Sequence, residues 1–153
     1  MQAPTSSQRK WEKHTSHPFR TRSWSVFHNG VLTNFESLRE KYIPNSENPV
    51  DTSVIPGILE FFTLCGKDEQ KCVVDTLNVL RGTFGLCIIN NFSGNVYLAR
   101  QGSILHYNNH GEFSTIHTKG FVTLKEGDVF LLTAYKEFTK IDTFSVSSPF
   151  LFV

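Results

Sequence analysis

The stretch Thr83-Phe84-Gly85-Leu86-Cys87-Ile88-Ile89-Asn90 does most to limit what this chain can fold into. It is a nearly continuous apolar run, bounded in front by Gly82 and behind by Asn91-Phe92-Ser93-Gly94. A run of this length, rich in branched and aromatic residues, is a strand covered on both faces. The turn at 91–94 then sends the chain back through Asn95-Val96-Tyr97-Leu98-Ala99-Arg100, a second strand beside the first.

The rest of the chain arranges itself around that pair. Residues 1–22 are polar and basic, contain Pro4 and Pro18, and read as an extended loop. Residues 23–28 alternate in part and form a strand that runs into a turn at Asn29-Gly30. Phe35, Leu38 and Tyr42 have helical spacing, and Asn34 is placed to cap that helix. Asp51-Thr52 stands where an N-cap would open a second helix, with Pro56 near its start and Gly66 at its end. Lys67 to Arg81 is a third helix, with Val73, Leu77 and Leu80 on its apolar face and Gly82 closing it. After residue 100, short strands follow near 104–107, 112–116, 120–123, 128–133 and 138–146. One strand, three helices and then a run of strands is an α+β pattern with antiparallel sheets, in one domain over 1–153.

Composition removes several classes of function. The net charge is +1 with acids and bases nearly balanced, which argues against a general electrostatic grip on nucleic acid or membrane. No apolar run approaches the roughly 20 residues of a membrane helix, and the first residues lack a signal-peptide core. Cys65, Cys72 and Cys87 are odd in number and read as buried, reduced thiols of a cytoplasmic protein. Arg9, Lys10, Lys13, Arg20 and Arg22 interleave with Trp11, Phe19 and Trp24, a mix that could bind nucleic acid by charge and stacking. A solvated loop resting its aromatics on the domain is the plainer reading. His14 and His17 have His-x-x-His spacing, but no further ligands stand in metal-binding positions. No metal and no cofactor are expected.

The residues Trp24-Ser25-Val26-Phe27-His28-Asn29-Gly30 carry the functional question. Asn-Gly is the strongest short hairpin signal, so a plain turn explains it on its own. Its company is more specific. Ala3-Pro4-Thr5 and His17-Pro18-Phe19 precede it; Asn34-Phe35 and Leu38-Arg39-Glu40 follow, then Asp51-Thr52 with Val54-Ile55. Leu80-Arg81-Gly82-Thr83-Phe84-Gly85, Leu98-Ala99-Arg100 with Gly102-Ser103, and Glu112-Phe113-Ser114-Thr115 complete the series. In order and spacing this resembles the class II, N-terminal-nucleophile glutamine amidotransferase domain, over almost the whole chain.

That resemblance implies an antiparallel two-sheet sandwich between helical layers, the Ntn-hydrolase-like arrangement. It also implies a chemistry: a thiolate attacks the side-chain amide of glutamine, an acyl-enzyme forms, and the ammonia released passes to an acceptor. In the family an N-terminal Cys is the nucleophile, with its own α-amine as base. The oxyanion donors are the Asn side chain and the Gly N–H of His-Asn-Gly, here Asn29 and Gly30. Asp51 corresponds to the carboxylate that pairs with the glutamine α-ammonium, and His28 and Thr5 complete the implied substrate contacts.

Two departures qualify what the resemblance implies. No Cys lies near residue 1, and Cys65, the nearest, falls in a helix. The family's Arg that holds the substrate carboxylate is matched here by the neutral Gln2, a weaker donor. The sequence is therefore expected to be a domain without its nucleophile segment and first strands, completed by a preceding segment or a second chain. An acceptor (synthase) domain would be its further partner. The competing expectation is a catalytically silent member of the family that binds a small ligand or a protein partner.

Overall fold

The computed structural model describes residues 17–147. Two antiparallel sheets and three α-helices make up this part. Strands β1 (Phe19–Arg20) and β2 (Trp24–Asn29) are followed by helix α1 (Phe35–Tyr42). A 3-10 turn at Asp51–Ser53 leads into α2 (Val54–Leu64), and α3 (Glu69–Val79) comes next. The remaining strands are β3 (Phe84–Asn90), β4 (Val96–Gln101), β5 (His106–Tyr107), β6 (Phe113–Ser114), β7 (Val122–Thr123), β8 (Asp128–Leu132) and β9 (Phe138–Thr143).

The six-stranded sheet has the order β1-β2-β3-β4-β8-β9, and the three-stranded sheet β6-β5-β7. The apolar run at 84–89 is central: β3 pairs with β2 from Trp24↔Asn90 to Asn29↔Gly85, and with β4 from Phe84↔Gln101 to Ile89↔Val96. Strand alternation then sorts its residues between two layers. Trp24, Val26, Leu86, Ile88, Tyr97 and Ala99 join Ile55, Ile58, Leu59, Val73 and Leu77 of α2 and α3 in the larger core. Cys87 and Leu98 face the other way, with Leu105, Leu124 and Phe138, and Tyr107 of the small sheet packs against this second core. Helices thus cover one face of the large sheet and the small sheet lies on the other, among the described residues.

Four local expectations need correction. Asn34 does not cap α1; no side-chain cap bond forms there. Its amide instead donates to Val79 O (2.9 Å) and accepts from Arg81 N–H (3.0 Å), tying α1 to the end of α3. Asp51 does not cap α2 either: Ser53 holds the N-cap position, and Asp51 bonds outward to the loop after β2. The third helix is capped by Asp68, which accepts from Lys71 N–H at 2.8 Å. Cys65 is exposed at the end of α2, so only Cys72 and Cys87 are buried thiols. Most of the loop read over residues 1–22 lies outside the described residues, but 19–20 form an edge strand.

Candidate functional site

The site is built where β2 ends. Asn29 is the last residue of β2, opposite Gly85, and Gly30 turns the chain at φ 135°. A side chain at Gly30 is excluded by two facts together. Its φ lies in a region L-residues avoid, and a Cβ would stand 2.3 Å from Thr83 O and 2.8 Å from Ser103 Oγ. Gly82 meets the same loop from the other side, where a Cβ would stand 2.3 Å from Val31 O. Backbone is therefore pressed on backbone across Gly30-Val31 and Gly82-Thr83.

Thr83 joins the two segments. Its N–H donates to Val31 O (2.8 Å), and its Oγ1 accepts from Val31 N–H (3.0 Å). Its methyl lies against Gly102, where a Cβ would come within 2.6 Å. Leu32 and Gly82 form an isolated bridge just beyond.

Asp51 holds the far side of this loop. One carboxylate oxygen accepts from Leu32 N–H (2.8 Å) and the other from Thr52 N–H (2.9 Å). Carboxylate oxygens have further acceptor capacity, so these bonds position Asp51 without using it up. His28 is 3% exposed and points to the helical side. Its Nδ1 lies 2.8 Å from Thr52 Oγ1 and its Nε2 3.2 Å from Thr83 O. Burial lowers its pKa, opposed by the nearby Asp51 charge. With Nε2–H donating to the Thr83 carbonyl, Nδ1 accepts from the Thr52 hydroxyl, the arrangement of a neutral imidazole. His17 lies beside this pair; burial and the proximity of His28 push its pKa down to about 4.

The structure thus brings Asn29, Gly30, His28 and Asp51 to one end of the large sheet. Gln2 and Thr5 lie outside the described residues. None of the three cysteines stands in contact with this loop among the interactions described. Cys72 is on α3, donating to Lys67 O, and Cys87 is in the middle of β3 facing the second core. Burial pushes the Cys87 thiol up to about 12, which keeps it protonated and unreactive. No group of three or more His, Cys, Asp or Glu that could hold a metal occurs among the described residues. No helix there is long and apolar enough to cross a membrane. Sequence reasoning missed Thr83, Ser103 and Gln101 as parts of the loop's support. Gly102-Ser103, set soon after β4, was the signal available for two layers of that support.

The fold so assembled is of the Ntn-hydrolase-like amidotransferase type. The glutamine phosphoribosylpyrophosphate amidotransferase of B. subtilis, complexed with ADP and GMP, superposes with a TM-score of 0.65 at 14% identity, over 86% of this chain and 32% of that one. A structure described as the allosteric regulatory enzyme of purine biosynthesis gives 0.61 at 14% identity, over 84% of this chain and 30% of that one. In sequence, the glutamine–fructose-6-phosphate aminotransferase (isomerizing) of Listeria monocytogenes is 29% identical over 84% of this chain and 23% of its own length. That of Zymomonas mobilis is 32% identical over 63% of this chain and 18% of its own length. In sequence and in fold the chain is similar to class II glutamine amidotransferases. It spans less than a quarter of the length of these aminotransferases. No family model matches it.

Proposed function

We propose that this chain is a single amidotransferase-type domain that binds glutamine at the Asn29-Gly30 end of the large sheet. The observation that carries the proposal is the seating of Gly30 on Thr83 and Ser103, which leaves no room for a Cβ and fixes the loop in one geometry. Preorganised N–H donors of this kind are what a developing oxyanion requires. In this reading Asn29 and Gly30 are the donors, and Asp51 accepts the substrate's α-ammonium. Gln2 and Thr5 contribute around the substrate, and His28, buried with both ring nitrogens engaged, acts only by holding the Thr83 carbonyl and Thr52. A carboxylate already held by two N–H bonds suits that role, because it is oriented before the ligand arrives.

Hydrolysis of the glutamine amide needs a thiolate within reach of the same donors. The positions of Cys65, Cys72 and Cys87 do not supply it. A nucleophile for that reaction would come from outside these 153 residues, and the ammonia would then go to an acceptor. The same observation favours the second reading, a silent domain that binds glutamine or a partner without cleaving an amide. Three free thiols fit a reducing, cytoplasmic setting in either case.

Calorimetric titration with glutamine tests the first claim. Binding by the parent, weakened at least tenfold in Asp51→Asn, is the expected result; no heat of binding to the folded parent overturns it. Ammonia release, measured with a protein that carries this domain together with a nucleophile segment, separates the two readings. Release that falls about a hundredfold or more in Asn29→Ala supports the oxyanion role. Binding with no release supports the silent domain.

A further inference from the structure

Gln101 is the last residue of β4 and is 1% exposed. A primary amide so deeply buried must find partners, and it finds them on two different segments. Its Nε2 donates to Gly82 O (2.9 Å) and to Ser147 Oγ (2.9 Å), and its Oε1 accepts from Ser147 N–H (2.8 Å). The Gly82 end belongs to the backbone that carries the Gly30 turn. The Ser147 end belongs to the strand-free segment that follows β9, which also touches α3 through Ser145 N–H to Asn78 Oδ1 (2.8 Å).

We infer that Gln101 is a positioning residue: it ties the segment after β9 to the Gly82 carbonyl and, through Gly82 and Thr83, to the Gly30 turn. Three details support the coupling. Gly82 and Val31 are in direct backbone contact, and Thr83 N–H bonds Val31 O. Gly102, next to Gln101, lies against the Thr83 methyl, so β4 reaches the same residue by a second route. The Gln101 amide nitrogen donates to both segments at once while its oxygen accepts from Ser147 N–H, so a movement of either segment pulls on the other. Displacement of the segment at Ser147 therefore changes the geometry of the Gly30 N–H. The bearing of this on glutamine rests on the function proposed above.

Residue-resolved amide exchange and ¹H–¹⁵N spectra of the 153-residue chain test it, with Gln101→Met and Ser147→Ala compared with the parent. In Gln101→Met the Thr83 N–H is expected to exchange roughly tenfold faster relative to Leu77 of α3 and Leu131 of β8, the size of one lost hydrogen bond. The Gly30 amide resonance moves with it. Ser147→Ala, which keeps the backbone bond to Gln101, gives the same pattern at smaller amplitude. An unmoved Gly30 resonance, with Thr83 accelerated no more than Leu77 and Leu131, overturns the inference. If Gln101→Met does not fold, Ser147→Ala decides by the same criterion. Glutamine added to the parent separates the two claims. A Gly30 resonance that ignores glutamine counts against the proposed function and leaves the coupling intact.

Discussion

The two ends of the β2–β3 ladder are held by different means. At the Trp24↔Asn90 end, side chains join the sheet to the helices and turns. Glu60 of α2 accepts from Ser23 N–H (2.8 Å) and Ser23 Oγ–H (2.7 Å), and Trp24 Nε1–H donates to Thr63 Oγ1 (2.9 Å). Glu69 of α3 accepts from Ser93, Asn95 and Tyr97 around the β3–β4 turn. At the Asn29↔Gly85 end, close backbone approach at Gly30 and Gly82 is added to the bonds from Thr83 and Asp51 that hold the loop. Side-chain bonding fills space and closes an end. Glycine packing brings chains together with no Cβ between them, so peptide groups stay near the surface of the loop. The difference is the reason that the proposed binding role is placed at one end and not at the other.

The comparison can be broken most sharply at Gly30. Gly30→Ala is expected to lose at least about 3 kcal/mol of stability, because strain and a backbone clash add. Urea unfolding of the purified variant measures this, and a loss under 1 kcal/mol would mean that the loop yields easily. At the other end, Glu60→Ala should cost about 2 kcal/mol by leaving the Ser23 donors without their acceptor. Gly94 has φ 76° in the β3–β4 turn but nothing within 4 Å of a built Cβ. Gly94→Ala should therefore cost only about 1 kcal/mol, from backbone conformation alone. The ratio of the two glycine effects isolates close packing from φ.

Acid should act gradually and through His17 and His28. His17 and His28 both have depressed pKa values in the folded state, with burial as the largest cause. The unfolded chain then binds more protons than the folded one below the ordinary histidine range, so stability rises with pH there. For His17 the window runs from about 6.5 down to about 4. The denaturation midpoint should fall steadily on acidification through that window. His28→Gln should make the fall shallower, whereas Glu60→Ala should leave the histidine contribution in place.

Much of the fold was legible because strong local signals coincide with strong burial. The run at 84–89 is a central strand, paired on both edges, and Leu86, Cys87 and Ile88 are buried on alternate faces of the sheet. Helix α1 falls at Phe35–Tyr42, where the spacing of Phe35, Leu38 and Tyr42 placed it. What local pattern could not give was the target of each polar side chain. Asn34 and Asp51 both sit in positions that read as helix caps, yet each is drawn to backbone N–H groups of a distant loop. Those donors are brought near only by the tertiary fold, and sequence spacing does not report them. The same holds for Gln101, whose partners lie 19 and 46 positions away. In the small sheet, β5 lies between β6 and β7, an order that strand lengths of two residues cannot encode.

Thr83 meets Val31 twice, accepts from His28, and lies against Gly30 and Gly102. Positions so interlocked cannot drift independently. A change at Thr83 alters which residues are permissible at 30 and 102, and an acceptable replacement at one needs a simultaneous replacement at another. Random mutagenesis followed by selection for folding should therefore leave these positions untouched as singles and recover them only in combinations.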